Sequence, residues 1–153
     1  MRISTRGRYA LRAMVDLAQH GDPGPVPRQD IATRQEISAD YVAQLFRRLQ
    51  SVGLVEGVKG PGGGYRLARD AGEIRAGEVI QAVEGPLAVV YCALPCPDEG
   101  PTCSRIDHCA THLLWKRLSE AVTEVLDSVT LGELCDLAEQ LGPVEPRPDK
   151  DAQ

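Results

Sequence analysis

The strongest chemical signal in the sequence lies between residues 92 and 112, which hold four of its five cysteines and two of its three histidines. Five residues separate Cys103 from Cys109, and His112 follows Cys109 after two more. Thiolates bind iron–sulfur clusters or zinc, and an imidazole can replace one thiolate. Zinc sites usually contain two closely spaced cysteine pairs, whereas the gaps here are longer and uneven. The spacing therefore favours an iron–sulfur cluster over zinc.

A second group of residues could read DNA. Ser38 is a good N-cap, and apolar residues follow it at helical spacing until Gly53, which predicts a helix. On the opposite face lie Tyr41, Gln44 and Arg48, at positions i, i+3 and i+7. In a major groove, glutamine reads adenine, arginine reads guanine or bonds a phosphate, and tyrosine bonds a phosphate. Taken alone, these residues favour an ordinary solvated helix face, and the neighbouring elements reverse that interpretation.

The neighbouring elements favour DNA binding. Two helices are predicted earlier in the chain, one over residues 9–19 and a short one that has Pro27 at its first position and runs to Arg34. Short β-like runs at residues 54–58 and 65–68 flank the glycine-rich segment 60–64, which predicts a hairpin. The order helix, short helix, turn, helix, hairpin is that of a winged helix-turn-helix domain.

The glycine-rich segment is interpreted as the tip of the wing. It lacks the Lys-Ser/Thr that ends a nucleotide-binding loop, and no helix follows it. Glycine lets a backbone approach DNA closely, and Lys59 can reach a phosphate or the minor groove. The charge distribution also favours DNA binding by the N-terminal half, because residues 1–70 carry a net charge of +4 and residues 71–153 a net charge of −9. Arg6 and Arg8 belong to the basic N-terminus.

The second half predicts three more helices. One covers residues 76–83, and a stretch rich in Pro, Gly and Cys separates it from the next. That next helix carries a heptad-like apolar seam of Leu114, Leu118, Val122, Val125 and Val129. Thr130 and Glu133 form a capping box for a last helix to Leu141, where Cys135 lies on the apolar face as a core thiol.

Several segments together resemble the IscR-type family of iron–sulfur cluster regulators over residues 1–141. They are MRISTRGRYALRAMVDLA, SADYVAQLF, VKGPGGGYRLARD, GEVIQAVEG, C-x5-C-x2-H-x2-W and TLGEL. The resemblance implies a homodimeric winged-helix transcription factor in which three cysteines and one histidine bind a 2Fe–2S cluster, or a 4Fe–4S cluster in some relatives. Carried over, the ligands are Cys92, Cys103, Cys109 and His112. The segment between the first two is longer than in the family pattern and contains Cys96, which is the alternative first ligand.

The expected fold is mainly α with a small β-hairpin wing. It consists of a winged helix-turn-helix domain (residues 1–84), a cluster-binding loop (85–112), dimerisation helices (113–141) and a disordered tail (142–153). The expected DNA contacts are Arg6, Arg8, Ser38, Tyr41, Gln44, Arg48, Lys59, Gly60 and Gly62.

The expected function is a cluster-sensing transcriptional regulator that represses iron–sulfur cluster assembly genes. Its partners are a double-stranded DNA operator, a second copy of the chain and the cluster assembly machinery as donor. The alternative is a repressor that senses nitric oxide or oxidants, through a 4Fe–4S cluster or a cysteine thiol switch. No nucleotide loop or Ser–His–Asp pattern is visible, so we expect no enzyme. The longest uncharged stretch, residues 85–97, contains three prolines, and there is no secretion signal, so we expect a cytoplasmic protein without a membrane span.

Overall fold

The computed structural model describes residues 3–94 and 103–143. Six helices and one hairpin follow each other in this part of the chain. They are α1 (Thr5–His20), α2 (Arg28–Gln35), α3 (Ala39–Ser51), β1 (Val55–Val58), β2 (Gly64–Leu67), α4 (Ala76–Glu84), α5 (Ala110–Ser128) and α6 (Leu131–Leu141). The prediction of a mainly α fold with a small hairpin wing is confirmed.

The core of the winged unit is built from the apolar faces of α1, α3 and α4. Its largest fully buried side chains include those of Met14, Leu17, Leu45, Phe46 and Leu49. Ser38 caps α3 as predicted, since its hydroxyl accepts the N–H of Tyr41 at 3.1 Å. Val52 differs from the prediction. It continues the apolar spacing of α3 in the sequence, but the helix ends at Ser51 and Val52 is 54% exposed.

Two helix starts differ from the sequence prediction. α1 begins at Thr5, four residues earlier than expected, because the Ser4 hydroxyl accepts the N–H groups of Arg6 and Gly7 and caps the helix there. Pro27 is the N-cap of α2 and not its first helical residue. In α1 the capping residue Ser4, rather than the apolar periodicity, decides where the helix begins.

The wing is a two-stranded antiparallel hairpin in which Val55 pairs with Leu67 and Val58 with Gly64. Its turn needs residues without a Cβ, because Gly60 and Gly62 have φ angles of 92° and 72°. A further bridge joins Val26 to Tyr65 through two backbone hydrogen bonds of 2.8 Å. The wing is thereby attached to the segment that precedes α2.

The helices α5 and α6 both pack on the winged unit, α5 against α4 and α6 against α1. Residues on either side of the α5–α6 junction bond the backbone before α4, with the N–H of Ala76 donating to Val129 and that of Leu131 to Ile74, each at 2.8 Å. α6 starts with the predicted capping box of Thr130 and Glu133. Cys135 differs from the prediction of a core thiol, because it is only half-buried; this burial raises the pKa of its thiol.

The remaining expectations concern segment boundaries. α5 begins at Ala110, so His112 lies in the first turn of the helix rather than at the end of the loop. The tail is described only as far as residue 143, and residues 144–153 lie outside the described part of the chain. Within the described ranges, no helix is both long and apolar enough to cross a bilayer.

Candidate cluster loop and nucleic-acid interface

Two of the four predicted cluster ligands line one open cavity of about 780 Å³. Cys92 lies in a single turn of 3₁₀ helix, Tyr91–Ala93, in the loop that follows α4. His112 projects from the first turn of α5. The cavity walls bring together this loop, the start of α5 and Gln81 of α4. The structure therefore brings the Cys92 side of the loop to the helix that carries His112.

The imidazole of His112 has an unmet bonding capacity. Its Nδ1 atom is buried and has no hydrogen-bond partner among the described residues. A buried polar atom without a partner costs about 1–3 kcal/mol, so native proteins rarely leave one unsatisfied. Coordination of a metal through this nitrogen would remove that cost, because imidazole nitrogen is a common metal ligand.

Cys109 is the N-cap residue of α5, and its surroundings favour the thiolate. Its Sγ atom lies 3.1 Å from the Thr111 hydroxyl. Hydrogen bonds from this hydroxyl and from the N–H of His112 lower the pKa of the Cys109 thiol, and the charge of Arg105 acts in the same direction. The thiolate is the form of cysteine that binds metals.

The described residues do not form a preassembled metal site. Within residues 3–94 and 103–143, no three His, Cys, Asp or Glu side chains are grouped closely enough to hold a metal ion. Cys103 is exposed, and Cys96, the alternative first ligand, lies outside the described residues. The donor set of three thiols and one imidazole nevertheless fits an iron–sulfur cluster by its chemistry. His108, the other histidine of this segment, is exposed as well.

The predicted reading helix presents a smaller polar face than the sequence suggested. Gln44 is exposed on the side of α3 opposite the buried residues. Tyr41 is half-buried, and its ring packs edge-on against that of Tyr9 with the centroids 6.1 Å apart. Tyr41 therefore lies on the flank of α3 that faces α1.

Arg6 of α1 and Arg48 of α3, both predicted to contact DNA, share one hydrogen-bond acceptor. Nη1 of Arg6 donates to the carbonyl oxygen of Val83 at 3.1 Å, and Nη1 of Arg48 donates to the same oxygen at 3.2 Å. Val83 is the penultimate residue of α4. Each guanidinium carries five N–H groups, so this bond leaves further donors for a phosphate.

The other predicted DNA contacts are exposed. Arg8 lies on the solvent side of α1, and Lys59, Gly60 and Gly62 form the tip of the wing. Sequence reasoning missed Arg47, which is exposed on α3 and stands three residues after Gln44. The signal was available, because residues at i and i+3 share a helix face.

The predicted seam on α5 is only partly covered by this chain. Leu114, Leu118 and Val125 are 57%, 41% and 63% exposed, while Val122 and Val129 are half-buried. Apolar side chains in such a row are unfavourable in water and mark interaction surfaces. The surface fits the association of two helices through heptad-type contacts.

Comparisons with known proteins identify the family of this chain. Residues 3–137 match the protein family Rrf2, described as iron-dependent transcriptional regulators. The chain is 49% identical over 141 residues to the HTH-type transcriptional regulator IscR of Klebsiella pneumoniae, covering 92% of this chain and 83% of that one. It is 48% identical to the protein of the same name from Cronobacter sakazakii, over 92% of this chain and 84% of the other.

Solved structures show the same fold. The chain resembles T. potens IscR with a TM-score of 0.73 and 35% identity, over 95% of this chain and 94% of the other. It resembles CymR, the global cysteine regulator of B. subtilis, with a TM-score of 0.73 and 38% identity, over 90% of this chain and 98% of the other.

Proposed function

Because this chain belongs to the Rrf2 family of iron-dependent transcriptional regulators, we propose that it senses iron–sulfur clusters and controls transcription according to whether it carries one. Its relatives are named as transcriptional regulators, which confirms the prediction of a DNA-binding regulator rather than an enzyme. The cluster, the dimer and the target genes belong to the proposal. So does its place in the cytoplasm.

Cys92, Cys103, Cys109 and His112 would hold a 2Fe–2S cluster. The observation that carries this assignment is the buried Nδ1 of His112, which has no partner among the described residues, in a side chain that lines the same cavity as Cys92. The cluster supplies a one-electron redox centre that is lost when iron or sulfide is scarce. The chain supplies the thiolate at Cys109, which is favoured by hydrogen bonds from the Thr111 hydroxyl and from the N–H of His112. The cluster assembly machinery is the donor in this proposal.

The DNA interface consists of the outward face of α3, the start of α1 and the wing. Gln44 and Arg47 would reach base edges, because both are exposed on the same face. The remaining residues contact the backbone and set the position of the protein on the duplex: Arg6, Arg8, Ser38, Tyr41, Arg48, Lys59, Gly60 and Gly62. Two copies, paired through the seam on α5, would read a two-fold operator.

The regulatory logic follows from where the loop is attached. It leaves the winged unit at Gly85 and enters α5 at Ala110. A loop held by its cluster is ordered when loaded and loose when empty, so the angle between the dimer helix and the winged unit depends on cluster occupancy. Repression of cluster assembly genes by the loaded form would close a feedback circuit.

An iron and sulfide assay with a visible spectrum on anaerobically isolated protein tests the proposal. We expect Cys103→Ala and His112→Ala to lose both the iron and the visible absorption. Cys135→Ala and His108→Ala are matched controls, since the first is a half-buried thiol of α6 and the second an exposed histidine of the same loop. If the wild-type protein contains no iron but forms a reversible disulfide, the protein is a thiol switch and not a cluster sensor.

A further inference from the structure

Glu84, the last residue of α4, forms hydrogen bonds with the start of α1. The Glu84 carboxylate accepts the N–H of Ser4 at 3.1 Å and that of Gly7 at 3.0 Å, and it also accepts the Ser4 hydroxyl. The first N–H groups of a helix have no acceptor within the helix, and an anion is favoured there. Glu84 therefore supplies the negative charge that the first turn of α1 lacks, because that turn has no acidic residue of its own.

The contact depends on the absence of a side chain at position 7. A Cβ on Gly7 would lie 2.5 Å from Oε1 of Glu84 and 2.8 Å from Cγ2 of Ile3. Real Cβ atoms do not approach other atoms so closely, so any other residue would push Glu84 away from α1. The sequence and the geometry thus agree on a close approach of these two elements.

The neighbouring carbonyl of Val83 completes the junction. It accepts Nη1 of Arg6 from α1 and Nη1 of Arg48 from α3, at 3.1 and 3.2 Å. The last carbonyls of a helix lack partners within the helix and favour cations. One such bond restrains each guanidinium near the end of α4 and leaves its other N–H groups free to donate.

We propose that Val83 and Glu84, together called the α4 corner, position Arg6 and Arg48 so that both can contact the DNA backbone. The proposal rests on the DNA-binding function given above. Glu84 is a positioning residue, because it acts through the first turn of α1 and has no attraction for a phosphate itself. Gly85 follows the α4 corner directly and begins the loop, so the loop starts at the α4 corner.

Salt-dependent DNA binding tests this role. We would measure the affinity of the anaerobically purified full chain for a fluorescein-labelled mixed-sequence duplex by anisotropy at several KCl concentrations. Each phosphate contact contributes about 0.9 to the slope of log affinity against log salt. We expect Glu84→Ala to reduce the magnitude of this negative slope by about 1 to 2 and to weaken binding. Coulomb's law alone predicts the opposite sign, since the substitution removes a negative charge, and so weakening identifies positioning.

Two comparisons separate positioning from loss of structure. Glu78→Ala is the matched control, because Glu78 also lies on α4 and accepts a backbone N–H, that of Arg75 at 3.0 Å, but at the other end of the helix. We expect its salt slope to equal that of the wild type. Glu84→Gln keeps an oxygen that can accept the N–H groups of α1, so it should retain most of the slope even where Glu84→Ala does not fold.

A double-mutant cycle then identifies the group through which Glu84 acts. Arg6→Ala should lower the slope less in the Glu84→Ala background than in the wild type, because the second substitution removes a contact already lost. The proposal is overturned by an unchanged slope in Glu84→Ala, by an equal loss in Glu78→Ala, or by additive effects of Glu84 and Arg6. A wild-type chain that does not bind the duplex overturns the DNA-binding function as well, while missing cluster absorption contradicts only the sensor.

Discussion

The hydroxyl of Ser119 accepts the backbone N–H of Val89 at 3.0 Å, which fastens the loop to α5. The same hydroxyl donates to the carbonyl of Trp115 at 2.8 Å, and Ser119 is 6% exposed. Val89 stands three residues before Cys92, and Ser119 lies two helical turns after His112. One partly buried hydrogen bond therefore connects the side of the loop that carries a predicted thiol ligand to the helix that carries the predicted imidazole.

Ser119→Ala should loosen this loop. The N–H of Val89 loses its partner, which costs about 1 kcal/mol and raises the population of the open loop about fivefold. We expect faster limited proteolysis within residues 85–109 in cluster-free protein and faster loss of visible absorption in loaded protein. Ser119→Thr keeps the hydroxyl and should restore both rates.

Ser128→Ala provides the control for this substitution. The Ser128 hydroxyl also donates to a carbonyl of α5, that of Val125 at 2.8 Å, but it bonds no loop residue. Its proteolysis and absorption decay should match those of the wild type. Equal rates in Ser119→Ala and Ser128→Ala would show that the Val89 bond does not hold the loop.

The choice between Cys92 and Cys96 as the first ligand can be settled by two variants. Cys92 shares a cavity with His112, and on that ground we expect Cys92→Ala to lose the cluster and Cys96→Ala to keep it. Visible absorption and the iron-to-protein ratio of anaerobically purified protein measure the outcome. The reverse result would move the ligand to Cys96, and loss in both variants would indicate a cluster with more thiolate ligands.

The sequence predicts those elements whose signals are local. Ser38, Thr130 and the glycines of the wing each determine a cap or a turn through their own backbone or hydroxyl, and the structure has α3, α6 and the hairpin where these residues require them. The apolar periodicity likewise identifies the buried face of α3.

Contacts between distant parts of the chain could not be predicted in this way. Arg6 and Arg48 have the composition of DNA-binding residues, but the sequence does not show that α4 ends beside both of them and offers them the carbonyl of Val83. The Val89–Ser119 bond and the Gly7–Glu84 approach span 30 and 77 positions. Such pairs depend on how the helices pack, and packing combines many weak contacts that no local pattern encodes.

The exposed seam on α5 predicts a specific effect on assembly. Leu118→Glu places a charge among Leu114, Val122 and Val125, and burying that charge in a dimer interface would cost several kcal/mol. We expect the variant to be monomeric in analytical ultracentrifugation and to lose affinity for a two-fold operator while keeping its helical circular dichroism. Val52→Glu is the control, because Val52 is 54% exposed on the winged unit, away from α5. A dimer that survives in Leu118→Glu would place the interface elsewhere.

The buried carboxylate of Asp16 joins α1 to α2 and should be needed for stability. Asp16 is 3% exposed and accepts Nε and Nη2 of Arg34 at 2.9 and 2.7 Å, together with Nε2 of Gln35 at 2.9 Å. The hydrogen bond to Asp16 raises the pKa of Arg34, which favours the charged form of the arginine. Arg34→Ala would leave a buried carboxylate without its cation. Because Arg34 is partly exposed, we expect urea unfolding to show a loss of about 2 to 3 kcal/mol, somewhat below the value for a fully buried pair.

The double variant Asp16→Leu/Arg34→Met separates the pair's net contribution from the cost of breaking it. Removing both charges together leaves no unpaired carboxylate, and apolar side chains of similar volume often replace a buried pair at little cost. We therefore expect the double variant to unfold at a urea midpoint closer to the wild type than that of Arg34→Ala, with an unchanged m-value. If the double variant is as unstable as Arg34→Ala or more so, the pair itself, with Gln35, stabilises the contact between α1 and α2. The destabilisation of Arg34→Ala then could not be assigned to an orphaned charge.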